Sequence, residues 1–308
     1  MQLPLLPTVA KPFFKWAGGK SQLLEQINEF LPDELKRGSV KRYFEPFIGG
    51  GAVFFFVSLS YKVDELFIYD INPELVLAYR TIQKGAESLI SLLYDIEQRY
   101  LSLSDKERET FFYKVRWQFN ANHRVVDFSE YHHNWAERTA QMIFLNRTCF
   151  NGLFRVNSRG EFNVPAGKYK NPTICNRANL RAVSQALQGT HIHHGDFMDC
   201  EELVNDESFV YFDPPYKPIS RTASFASYAK DTFDDSEQLR LAAFYCSLDR
   251  KGAKLMLSNS DPKNNDPDDD FFEDAYRGYR IERVKARRSI NSNAQGRGQI
   301  NELLIMNY

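Results

Sequence analysis

The chain contains no apolar run of the roughly 18 to 20 residues that a membrane-spanning helix needs, which excludes a membrane protein. Its first residues, MQLPLLPTVA, are apolar but carry no basic residue before Lys11, so they do not read as a secretory signal. Cysteine is sparse. Cys149, Cys175, Cys200 and Cys246 are widely spaced and form no CxxC, which argues against a disulfide framework or a zinc knuckle and fits a reducing cytosol. The six histidines (His123, His132, His133, His191, His193, His194) have no carboxylate or cysteine at ligand spacing, so no metal is expected. Net charge is −1, so there is no global polycation, and any nucleic-acid binding must come from local patches. There is also no internal repeat and no low-complexity linker.

What remains is an ordinary globular composition, 43% hydrophobic and 26% charged over 308 residues, enough for one or two domains. Gly18 and Gly19 precede KSQLLEQINEFL, which reads as a loop feeding a helix stopped by Pro32. RYFEPF (42–47) reads as a strand, IGGGA as a turn, and VFFFVSL as a buried helix. ELFIYD (65–70) reads as a second strand, and Pro73 suits the first turn of a helix over 73–84. From about 86 to 148 the chain is mostly helical, with polar breaks between 120 and 134. HIHH (191–194), SFVYFD (208–213), AKLMLSN (253–259), YRIERV and INELLIMNY read as strands, with a helix over 236–248. Strands alternating with helices at both ends predict an α/β sheet. The helical middle reads as an insertion into that sheet.

Charge follows the same division. Residues 146–181 hold seven basic side chains against Glu161 alone, and 285–299 add Lys285, Arg287, Arg288 and Arg297 with no acid. One such run is usually a solvated face. Two of them, rich in Asn, Ser and Gly, point to phosphate contact. Residues 149–172 lack periodicity and read as a long functional loop or a loop with a small hairpin. The segment 261–274 is strongly acidic and reads as a solvated loop.

Two constellations carry chemistry by residue type alone. The first is FIGGGA (47–52), where glycines let backbone approach a ligand at the carboxyl end of a strand, beside a helix N-terminus. The next strand ends at Asp70, nineteen residues after Gly51, an offset at which acids hold ribose hydroxyls. Phe47, Gly49, Gly51 and Asp70 thus form a candidate site for a cofactor with an adenosine part. The second is Asp213-Pro214-Pro215-Tyr216 at the end of an apolar strand. Two prolines fix a stiff turn without backbone donors. The Asp213 carboxylate and the carbonyls of the turn can then accept the two N–H bonds of a planar amino group while Tyr216 stacks on its ring. The competing reading is a rigid turn with a packing tyrosine.

With these two, KWAGGK (15–20), IYDIN (68–72), FNGLFRVNSRGEFNVPAGKYKNP (150–172), SNS (258–260) and RRSINSN (287–293) follow one another in an order that resembles the Dam-like DNA adenine methyltransferases, the D12 class with α-type motif order. Within that class the sequence is most similar to members that modify GATC. The resemblance spans nearly the whole chain. It implies a Rossmann-like, S-adenosylmethionine-dependent methyltransferase sheet over 1–72 and 176–308, with an inserted, mainly helical target-recognition domain over 73–175. It is compatible with either a restriction-modification setting or a solitary enzyme.

The resemblance places Trp16 and Lys20 near the methionine and adenine ends of S-adenosylmethionine, Asp70 on the ribose, Asp196 toward the cofactor adenine, and Asp213 where cofactor and target meet. It makes Asp213, Pro214 and Tyr216 the catalytic residues, acting on an adenine flipped out of duplex DNA. Lys15 looks like a residue that reaches DNA. Arg155 offers a fork for guanine N7 and O6, and Leu153 and Pro165 suit a thymine methyl. Phe150, Asn151, Lys168 and Tyr169 in the same segment, and Arg287, Arg288 and Asn291 beyond it, complete the expected DNA contacts. A monomer is favoured. The rival readings are an RNA or protein-glutamine methyltransferase, a cytosine-amino DNA methyltransferase, and an inactive DNA-binding regulator.

Overall fold

Short extended runs bounded by turn residues form strands, and layers packed on a parallel sheet cover both its faces. In the computed structural model, which describes residues 8–122, 126–128, 131–132, 134–217, 233–287 and 299–308, seven such runs do so. They are β1 (Arg42–Glu45), β2 (Glu65–Asp70), β3 (His191–His194), β4 (Ser208–Phe212), β5 (Lys254–Ser260), β6 (Arg280–Arg287) and β7 (Gln299–Met306). The chain divides into two compact units. The first comprises Met1–Gly19, Gly49–Phe55 and Asn72–His194, and the second Lys20–Ile48, Phe56–Ile71 and Gly195–Tyr308.

The second unit is built on a sheet in the order β2-β1-β4-β5-β7-β6. β1 pairs in parallel with both β2 and β4, and β4 with β5, whereas β7 runs antiparallel to β5 and β6. This is an α/β, Rossmann-like architecture. Alternate strand residues (Phe67 and Tyr69, Val210 and Phe212, Leu255 and Leu257, Leu303 and Ile305) turn to one face. There they meet Leu241, Phe244, Tyr245 and Leu248 of a helix over Asp235–Arg250. Pro46 has no N–H to donate, and β1 stops at Glu45, two residues short of the reading from sequence. The stretch after Gly19 opens as a single 3-10 turn (Lys20–Gln22) before its helix, α1 (Leu24–Phe30), with a further turn, α2 (Asp33–Lys36), behind it.

The first unit is mainly helical. VFFFVSL lies within α3 (Ala52–Ser60), which both units share. The helix begun by Pro73 does not stop at 84. As α4 it runs to Ser102 through a kink at Gly85, where the backbone leaves helical geometry (φ −143°, ψ 38°). Asn72 caps it by accepting from the Glu74 N–H at 3.0 Å. α5 (Asp105–Asn122), α6 (Trp135–Thr148) and α7 (Arg177–Ala186) follow. A buried bidentate pair, Glu74 with Arg138, ties α4 to α6. Removing one partner of such a pair leaves a buried charge and costs roughly 3–5 kcal/mol.

Residues 149–172 form a small hairpin, the second of the two forms read from the sequence. Cys149 bridges Ala166 and Val156 bridges Phe162, both antiparallel. The tip is a turn in which Gly160 N–H donates to the Asn157 carbonyl at 2.9 Å. Asn120 of α5 grips the returning strand from both sides, accepting from Phe162 N–H at 2.8 Å and donating to its carbonyl at 3.0 Å. The helix over Asp235–Arg250 is α8, and a short α9 covers Phe271–Ala275. No helix among the described residues is long and apolar enough to cross a membrane.

Candidate active site and nucleic-acid interface

In the second unit the chain winds outward from β1 to β2 on one side and from β4 to β5 on the other. The gap between β1 and β4 is therefore a topological switch point, where open α/β sheets bind ligands at the carboxyl ends of their strands. Phe47 lies two residues beyond β1, Asp70 ends β2, and Asp213 follows β4. The ends of the first two are tied together: Ile48 N–H donates to the Tyr69 carbonyl at 3.0 Å, and Gly195 N–H to the Asp70 carbonyl at 3.1 Å. Phe47 packs on Phe197 and Phe233.

Asp213 is 21% exposed, and the Lys20 ammonium, itself 3% exposed, sits 2.6 Å from its Oδ1. The Tyr211 hydroxyl donates to Ser258 Oγ, which donates to the same Oδ1, each at 3.0 Å. Among the described residues nothing donates to Asp213 Oδ2 or to the Pro214 carbonyl. The Pro215 carbonyl instead accepts from Gln238 Nε2 at 3.0 Å. Burial pushes the Asp213 carboxyl above the usual carboxylate range, opposed by Lys20 and by the Ser258 hydrogen bond. Lys20 also lies over the Tyr216 ring, 4.5 Å from its centroid. The Tyr216 hydroxyl donates to Glu302 at 2.5 Å. Burial, with Asp213 and Glu302 nearby, holds that phenol firmly protonated.

Behind this turn, Asn259 Oδ1 accepts from Lys217 N–H at 3.3 Å, Asn259 Nδ2 donates to Gln238 at 3.2 Å, and Ser260 Oγ donates to the Lys217 carbonyl at 3.1 Å. The sequence did not single out Gln238 or Glu302. Ser258, Asn259 and Ser260 of the SNS block lie on β5, which adjoins β4. Asp196 is held in place by its neighbours. Arg240 grips both its oxygens at 2.9 and 2.8 Å, and Oδ1 also caps the following turn at Met198 N–H. Arg240 accordingly holds the Asp196 carboxyl below its ordinary value.

The first unit brings the other candidates together. Trp16 covers the glycine loop so closely that a Cβ at Gly49 (φ +45°) would lie 2.9 Å from its ring. Phe154 stacks on the same indole, 5.6 Å between centroids. Asn146, 1% exposed on α6, accepts from the Lys15 N–H at 2.8 Å and donates to the Lys15 and Gly152 carbonyls at 2.9 and 2.8 Å. The Lys15 stem crosses Gly152, where a Cβ would fall 2.3 Å from Lys15 Cδ, and its ammonium lies over Tyr169. Asn151 adopts φ 58°, a left-handed conformation that Asn tolerates better than most residues. Phe150, Asn151, Arg155, Pro165 and Lys168 are exposed, and Leu153 and Tyr169 half-exposed. Asn163 holds Arg155 by Nε at 2.8 Å, and the guanidinium fork has no other partner among the described residues. Arg288 and Asn291 lie outside the described residues, as does the Arg287 side chain.

Residues 16–290 match the family model of the D12 class N6 adenine-specific DNA methyltransferases. The chain belongs to that class.

Its relatives agree. A type II methyltransferase, M.MjaIII, of Methanocaldococcus jannaschii is 50% identical over 97% of this chain and 99% of its own length. The DNA adenine methylase of Escherichia coli K12 is 31% identical over 96% of this chain and 95% of its own. The DNA N-6-adenine-methyltransferase of Escherichia phage P1 is 36% identical over 96% of this chain, which covers 35% of that protein. The methyltransferase is thus a site-specific, adenine-specific enzyme, and S-adenosylmethionine is its methyl donor. Within the second unit the residues present fit that group: an acid ends β2 beside the switch point.

Proposed function

We propose that this methyltransferase modifies the adenine of GATC in duplex DNA after turning the base out of the helix. The observation that carries the reading is the acceptor pair beside Tyr216. Asp213 Oδ2 and the Pro214 carbonyl receive no hydrogen bond from the described residues, although the surrounding groups are closely satisfied. A planar amino group needs two acceptors, and adenine presents one. Its nitrogen is a poor nucleophile because its lone pair is delocalised into the ring. Accepting both N–H bonds orients that lone pair and raises charge on nitrogen. S-adenosylmethionine, when bound, supplies an already activated methyl on a sulfonium. Lys20 and Ser258 fix the carboxylate, and Tyr216 offers a face that offsets the few kcal/mol of unstacking.

Trp16, Lys20, Phe47, Gly49, Gly51 and Asp70 are the proposed cofactor contacts, with Asp70 on the ribose. Asp196, oriented by Arg240, faces the cofactor adenine in this reading. Residues 73–175 form the target-recognition part, and their hairpin reads the sequence. Arg155, held by Nε alone, leaves its fork for a guanine, and Leu153 and Pro165 meet a thymine methyl. Lys15, Phe150, Asn151, Lys168 and Tyr169, with Arg287, Arg288 and Asn291, contact base edges, phosphates or the space the flipped base leaves. The likeness of the 150–172 segment to GATC-modifying members supports the choice of site.

Sequencing for methyladenine on a random duplex library, with wild type and Arg155→Ala, tests this. Marks confined to GATC, with discrimination at one guanine relaxed by about 1–3 kcal/mol in the variant, are expected. Marks as frequent outside GATC as inside it would sink the specificity. If Arg155→Ala weakened all sequences alike and lowered the salt slope by about one, Arg155 would be a phosphate contact only.

A further inference from the structure

The Tyr216 hydroxyl is unnecessary for stacking, because a phenyl face would serve. Yet it makes a 2.5 Å hydrogen bond to Glu302, a residue far along the chain. We infer that Glu302 is a positioning residue for methyl transfer, which anchors the Tyr216 hydroxyl and so fixes the ring face presented to the target base. The inference rests on the reading of Tyr216 as the stacking residue.

The two partners differ in rigidity. Tyr216 lies four residues beyond the end of β4, on chain with no regular structure. Glu302 sits inside the sheet, on β7, opposite Ser260 of β5 and Val284 of β6. A group on a doubly paired strand has little freedom, so it is a firm post for a ring on a loop. The ring is fixed at a second point by Lys20, whose ammonium stands over one face at 4.5 Å. The opposite face is then the one available to a base. Lys20 also holds Asp213. Glu302, Tyr216, Lys20 and Asp213 thus form one connected set, in which tilt of the ring would disturb the cation that holds the amino-group acceptor. A purely structural Glu302 would affect stability and leave the transfer step alone.

The test is a double-mutant cycle with Tyr216→Phe, Glu302→Leu and the pair, alongside Glu302→Gln and Tyr216→Ala. Single-turnover rate and DNA affinity are measured on a duplex that wild type methylates. Emission of 2-aminopurine at the target position gives a readout independent of transfer, and thermal unfolding reports the fold. Each single substitution is expected to slow transfer about tenfold or more, the scale of a lost hydrogen bond to a charged group, with DNA affinity within about twofold. The pair should be no slower than either single change, with bound 2-aminopurine emission altered equally in all three. Glu302→Gln, which can still accept from the hydroxyl, should recover most of the rate. Additive losses would overturn the proposal. So would Tyr216→Phe at the wild-type rate with Tyr216→Ala slow, and that outcome holds even if Glu302→Leu does not fold. Tyr216→Ala at full rate would remove the stacking reading itself, and the proposal with it.

Discussion

Asp213 combines two demands that pull against each other. In its proposed role it accepts a hydrogen bond from an amino group, best as the carboxylate, yet burial raises its pKa. Lys20 and Ser258 restore part of the charge, and both act on Oδ1. Asp213→Ala should therefore slow transfer by at least about a hundredfold, as loss of a preorganised partner does. DNA affinity should largely survive. The sign of the pH effect follows. The ionised form works, so rate is lost as pH falls through a folded-state value above the usual carboxylate range. Lys20→Met removes a cation that lowers that value, so its acid limb should move to higher pH. Rate–pH profiles of both proteins check this, and a limb that moved down or stayed put would contradict the pairing. At this scale the sequence showed Asp213, Pro214 and Tyr216, because their chemistry is local. It could not show Glu302 or Gln238. Each reaches the turn from a separate element, and a lone sequence does not say which polar side chains meet.

The elements were largely legible where periodicity is strong. β2 and β3 fall on the runs read from the sequence, and α8 extends that reading by a residue or two at each end. Both halves of α4 were readable as helix but not their continuity across Gly85, because glycine lowers helix propensity and the join depends on packing. The hairpin over 149–172 has no periodicity to read. Backbone contacts made by side chains hold it instead, Asn120 on one strand and Asn146 at its base. Asn146→Leu would take the partner from a buried carbonyl, at Gly152, and from the part-buried N–H and carbonyl of Lys15. It should lower stability by at least about 1–3 kcal/mol, the cost of one such group. Chemical denaturation measures that loss. The same variant should blur discrimination in the methyladenine sequencing, because Lys15 and Gly152 lose their common clamp. Undiminished stability would show that these three bonds contribute nothing net.

Across the whole molecule, the α/β class and the helical middle followed from the alternation of strands and helices. The strand order did not, since no local pattern says that β1 lies between β2 and β4. That order is what puts Phe47, Asp70 and Asp213 at three adjoining strand ends. Asp70→Ala should weaken S-adenosylmethionine binding by calorimetry far more than it weakens DNA binding, which is proposed to rest on the basic loops. Unchanged cofactor affinity would move the ribose contact elsewhere. The order has a further consequence in time. Arg42 of β1 pairs with Glu65 on one side and Ser208 on the other. During synthesis the first neighbour emerges at once, whereas the second waits until most of the chain is made. Until then β1 keeps an open edge, a template for pairing with other nascent chains. The entire helical segment is meanwhile complete and free to fold through contacts close in sequence. The chain can thus assemble its helical half early, while the half that holds Asp213 is completed only by the last third of the polypeptide.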